Sequence, residues 1–134
     1  MRTYKEVIID PPSFLTQRNT DLSNVVESGS NENGDWVRYV DGTQICWFRT
    51  TATNIAISTT YGSLFSGSRL WTFPQSFTDN PVVTCSQFRW GTGASWGGVG
   101  SVTMANTQLV GLDSISRASG TNVHIAAMAI GRWR

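Results

Sequence analysis

The sequence predicts an all-β protein, an antiparallel β-sandwich with a short extended N-terminal arm. Three observations predict it. Thirteen glycines and six tryptophans sit in a chain of 134 residues with only 14% charged side chains, a mixture that suits tight turns between aromatic-rich strands. Residues 70–89, LWTFPQSFTDNPVVTCSQFR, read as a short strand, a corner and a long strand. No segment carries a helical period longer than a turn or two.

The 70–89 stretch organises the rest. Trp71, Thr72 and Phe73 favour a strand. Pro74 ends it, because proline has no amide hydrogen to give a ladder. Phe77 is expected to anchor the corner, and Asp79, Asn80 and Pro81 are turn residues. Val82 to Arg89 then alternates: Val82, Thr84, Ser86 and Phe88 share one face, and Val83, Cys85, Gln87 and Arg89 the other.

Taken in order, residues 1–27 form a separate unit. They hold Pro11 and Pro12, no glycine and scattered apolar residues, among them Val7, Ile8 and Ile9. So short a segment cannot bury its own apolar groups. It reads as an anchoring arm held by its own domain or by a neighbouring subunit. The second unit is residues 28–134, a size that buries roughly two thirds of its unfolded surface.

Within it, SGSNENG at 28–34 reads as a linker or turn. Residues 36–50 read as a hairpin around Asp41-Gly42, a dipeptide that tolerates positive φ. IAISTTY at 55–61 is a strand, and GSLFSGSR at 62–69 a polar loop. WGTGASWGG at 90–98 is a second loop. Strands at 99–105 and 107–115 flank Asn106, and SRASGTN at 116–122 is a third loop. The last strand, 123–133, sets His124, Ala126, Met128 and Ile130 on one face and Val123, Ile125, Ala127 and Ala129 on the other. Apolar residues on both faces mark a central strand or a subunit interface. Together these make roughly seven or eight strands.

The chemistry points away from catalysis. His124 is the single histidine and lies in an apolar strand, so it reads as structural before it reads as a base or ligand. Nothing has metal-ligand spacing, and neither a metal nor a cofactor is expected. A net charge of +1 gives no basic stripe for nucleic acid. No apolar run approaches the ~20 residues of a membrane span. Cys46 and Cys85 lie inside strands and read as buried free thiols, with a disulfide as the alternative.

Binding is the better prospect. Alternate turns of a sandwich lie at alternate ends, so the loops at 62–69, 90–98 and 116–122 are expected to converge. They bring together Arg69, Arg89, Trp90, Trp96, Asp113 and Arg117. Indoles stack on the apolar faces of sugars, and Arg and Asp fix hydroxyls. These six residues are the expected glycan site. Surface ion pairing of Asp113 with Arg117, and packing or intersubunit contact of the tryptophans, are the structural alternatives. Met104, Met128 and Ile130 read as core or interface. Arg132, Trp133 and Arg134 read as a plain strand end or a neighbour contact.

The blocks GDWVRYVDGTQICW, LWTFPQSFTDNPVV and AAMAIGRW together resemble the C-terminal receptor-binding domain of bacteriophage tail fibres. From Trp71 onward the pattern is also similar to H-type lectins, small β-sandwich lectins that form trimers. The resemblance implies a homotrimer that is made in the host cytoplasm and assembled into the virion. It implies attachment to other virion proteins through residues 1–27 and binding of a host-cell surface glycan. The rival reading is a structural virion component, such as a head spike or decoration protein. A free lectin or a hydrolase stands behind both, and the protein is expected not to be an enzyme.

Overall fold

The computed structural model describes residues 24–49, 55–89, 93–118 and 123–134. Most of the expected arm, with its Val7–Ile9 run and Pro pair, lies outside the described residues, as does Trp90. The strands are β1 (Val25–Asn31), β2 (Gly34–Tyr39), β3 (Thr43–Arg49), β4 (Thr59–Tyr61), β5 (Leu64–Thr72), β6 (Val82–Arg89), β7 (Ser95–Val102), β8 (Asn106–Asp113) and β9 (Val123–Arg132). Among the described residues there is no helix. One sheet has the order β1-β2-β3-β9-β6, the other β4-β5-β8-β7, and every pair within them is antiparallel.

The corner between β5 and β6 locks the layers as its residue types require. Phe73 and Phe77 are buried, and each turns its ring edge to its neighbour. Peptide groups in a corner lack ladder partners and must find others. Phe73 and Phe77 donate their amides to the carbonyls of Ala105 and Met104 in the β7–β8 turn, and Thr78 donates to that of Arg132. Buried Gln44 donates from Nε2 to the carbonyls of Gln75 and Ser76 at 2.9 and 3.3 Å.

The hairpin around Asp41-Gly42 forms as the dipeptide dictates. Gly42 sits at φ +97°, where a side chain would be strained. Asp41 accepts the Thr43 amide at 2.9 Å, and that bond holds its carboxyl below the usual aspartate range. β9 is central, between β3 and β6. Its Val123, Ile125, Ala127 and Ala129 are buried, as the alternation requires.

Four expectations are corrected. Residues 28–31 belong to β1 rather than to a linker; Asn31 accepts the Asn33 amide on its side-chain oxygen and so closes a hairpin with β2. Residues 55–61 yield only the isolated Ile57–Arg117 bridge and the three-residue β4. The expected loop at 62–69 shrinks to a Gly62-Ser63 turn, because Phe65 to Thr72 pairs continuously with β8. The expected loop at 90–98 gives way at Ser95 to β7, and the next turn falls at Thr103–Ala105, where the Thr103 hydroxyl accepts the Ala105 and Asn106 amides.

Both thiols are free. Burial pushes the Cys46 thiol up to about 11 and raises that of Cys85, so both remain protonated at neutral pH.

Candidate functional site

Among the described residues, the ends of the three expected loops lie together. The Ala94 amide donates to the Ser114 hydroxyl at 2.8 Å, and the Ser114 amide donates back to the Ala94 carbonyl at 2.9 Å. Ile57 and Arg117 exchange backbone bonds at 2.8 and 2.9 Å. Phe65, Asp113 and Ser95 lie in register beside the Gly62-Ser63 turn.

The side chains expected there are arranged differently. Asp113 is 0% exposed, because the β8 alternation turns it inward in phase with Thr107, Leu109 and Gly111. Its Oδ1 accepts the Ile115 amide at 2.9 Å; its Oδ2 accepts Gln87 Nε2 at 3.4 Å and faces Arg117 Nε at 3.5 Å. The carboxylate therefore braces the fold from within and is no surface group. Arg69 lies mid-strand in β5 on the inner face, its guanidinium 5.1 Å from the Phe48 ring. Arg89 ends β6 opposite Val123. Trp96 lies within β7, 45% exposed. Its register with Leu112 puts it on the outer face, opposite to Arg69. Of the four candidates whose side chains are described, Arg69, Trp96, Asp113 and Arg117, the structure joins Asp113 and Arg117.

Two outer sheet faces carry what the sequence reading missed. On the five-stranded sheet, Val37, Ile45, Ile130 and Val82 stand side by side across four strands, and Asp35, Trp47, Met128 and Thr84 form the next row. Val82 is 73% exposed and Met128 41%. A hollow of about 260 Å³ beside Met128 is lined by Thr84, Cys85, Ser86, Ala126 and Ala127, and one of about 590 Å³ lies between Trp47 and β1. Met128 and Ile130 are therefore not core. The alternation was visible in β6 and β9, but the row emerges only from the pairing register.

The second face, on the four-stranded sheet, holds Thr59, Ser66, Leu112 and Trp96 in one row. Tyr61 and Leu64 lie above it; Ser68, Val110 and Gly98 lie below. At the far end of the molecule Trp133 folds onto its own chain. Its amide donates to the Gly42 carbonyl and its Nε1 to the Tyr39 carbonyl, both at 2.9 Å. Arg38 and Arg134 cover its ring at 5.1 and 4.9 Å. Among the described residues no three His, Cys, Asp or Glu side chains cluster to hold a metal ion.

No family model and no curated protein matches the chain. Two solved structures share its fold. One is the P. aeruginosa R1 pyocin fibre comprising C-terminal residues 323–701, with a TM-score of 0.54 and 19% identity over 89% of this chain. The other is an N-truncated R1-type pyocin tail fibre, with a TM-score of 0.51 and 20% identity over 89% of this chain. The chain spans 31% of the first and 96% of the second. At such identities the likeness is one of fold: this β-sandwich is an architecture that pyocin tail fibres carry.

Proposed function

We propose that this chain is a fibre or tail-tip protein of a phage or phage-tail-like particle, and that it recognises a glycan on the host-cell surface. The observation that carries this reading is the end-to-end match with the truncated pyocin tail fibre, 96% of which is spanned. In this reading residues 1–27 attach the domain to other virion proteins, and the domain works as a homotrimer. One lectin-type site is weak, and several on one particle gain by avidity, on the order of a hundredfold or more.

The test is competition. Purified protein is expected to block adsorption of the parent particle to its host in a dose-dependent way. Particles that adsorb normally in a large excess of protein would overturn the recognition role. They would favour the rival, a structural virion component, for which the aliphatic face of the five-stranded sheet is the supporting feature.

That face is the proposed contact between copies. Contiguous exposed apolar surface of this kind marks association sites, and Met128 stands as a ridge beside its hollow. Met128→Asp is expected to convert a stable trimer into monomers at micromolar concentration in sedimentation. A parent protein that sediments as a monomer would end the trimer proposal.

A further inference from the structure

We propose that the outer face of the four-stranded sheet is the glycan platform, and that it takes an extended, uncharged polysaccharide. This rests on the recognition role proposed above and moves the site from the loop end to a sheet face.

The first ground is the surroundings of Trp96. Its outer-face neighbour along β7 is Gly98, and a methyl added there would meet nothing within 4 Å. At the next, Gly100, the Gln108 side chain closes the strip, so the open backbone beside the indole is that of Gly98. A flat apolar ring beside open backbone is what a pyranose face stacks on. Tyr61, 64% exposed, provides a second ring on β4. Strand spacing puts the two rings roughly 15 Å apart, so a ligand touching both is a chain of sugars.

The second ground is the surface beside the rings. Ser66 and Leu112 lie in the Trp96 row, and Ser68 with Val110, then Gln108 with Leu70, lie in the rows below it. Gln108 Nε2 donates to the Ser68 hydroxyl at 3.0 Å. That bond orients both groups and leaves the Ser68 hydrogen as a donor and Gln108 Oε1 as an acceptor. Fixed donors and acceptors between apolar surfaces suit a ligand with hydroxyls on its edges and C–H groups on its faces.

The third ground is charge. Among the described residues, the outer positions of β4, β5, β8 and β7 hold no Asp, Glu, Lys or Arg. An acidic polysaccharide would find no cation here. The two outer faces of the sandwich also differ in kind. The five-stranded sheet offers an aliphatic row, as expected for contact between copies, whereas this one interleaves rings, hydroxyls and an amide.

The experiment uses the full chain and an array of immobilised neutral and acidic bacterial surface polysaccharides. The parent is expected to bind neutral polysaccharides. Trp96→Ala and Gly98→Glu are each expected to weaken that binding about tenfold or more. The glutamate starts from open space, so melting temperature and sedimentation should match the parent. If the parent binds no polysaccharide, the recognition role itself fails and the platform with it. If the parent binds and both variants bind equally well, the platform is overturned while the recognition role stands. Binding confined to acidic polysaccharides overturns it too. A changed assembly state in either variant would make this face a contact between copies.

Discussion

Trp71→Ala is expected to destabilise the domain by about 3–5 kcal/mol. Trp71 is 2% exposed and joins the two layers. Its ring stacks on Phe48 of β3 at 5.9 Å and meets the edge of Phe73 at 5.0 Å; Phe73 in turn meets Phe77 at 5.1 Å. Its Nε1 donates to the Asn33 carbonyl at 2.8 Å and so ties the β1–β2 turn to the corner. Alanine removes the ring, opens a cavity between the sheets and leaves that turn without its donor. A domain of this size has only about 5–15 kcal/mol in total, so the loss is a large share of its stability. Trp71→Phe should retain most of the packing and lose chiefly the hydrogen bond, about 1 kcal/mol. Urea unfolding at equal protein concentration measures both. An alanine variant within about 1 kcal/mol of the parent would remove Trp71 from the centre of the core.

The ladder from Trp71 to Phe77 was legible because local signals agree: aromatics in strand phase, then Pro74, then turn residues, then Pro81 opening a new alternation. The hairpin at Asp41-Gly42 and the two faces of β9 were legible for the same reason. Where composition and pairing disagree, pairing wins. The Ser and Gly of 64–69 and 95–98 read as loop, yet β8 lies between the two segments and holds both in a ladder. That lengthening of strands is also why the site was misread. Alternation could place the turns at one end. It could not show that Arg69 would fall on a strand, or that Asp113, on a strand as expected, would take the face that turns inward. The outer faces were illegible because their rows are assembled from strands distant in sequence, and only register sets Val37 and Val82 in one row, or Tyr61 and Trp96 on one face.

The glycines read as loop residues lead to the second large expectation. Gly67, Gly111 and Gly97 pair with one another across β5, β8 and β7, forming a row on the inner face. A methyl at Gly67 would sit on the Ala56 carbonyl oxygen. At Gly97 it would lie 2.5 Å from the Ser86 Cα and 2.6 Å from the Cys85 carbonyl oxygen. These neighbours are backbone, so no side chain can swing aside. At Gly111 the obstacle is the Gln87 side chain, itself held by Asp113. The row therefore lets β6 and the 55–57 segment approach the four-stranded sheet at backbone distance. Gly→Ala at a tolerant site stabilises by about 0.4–1 kcal/mol. Here the sign should reverse: Gly67→Ala and Gly97→Ala are each expected to cost about 1–3 kcal/mol or more, as overpacking does. Gly98→Ala, one residue along the same strand and facing open space, is expected to stay within about 0.5 kcal/mol of the parent. Thermal unfolding of the three variants side by side is the measurement. If Gly97→Ala melts with Gly98→Ala, the layers have room between them, and close backbone packing is not what those glycines provide.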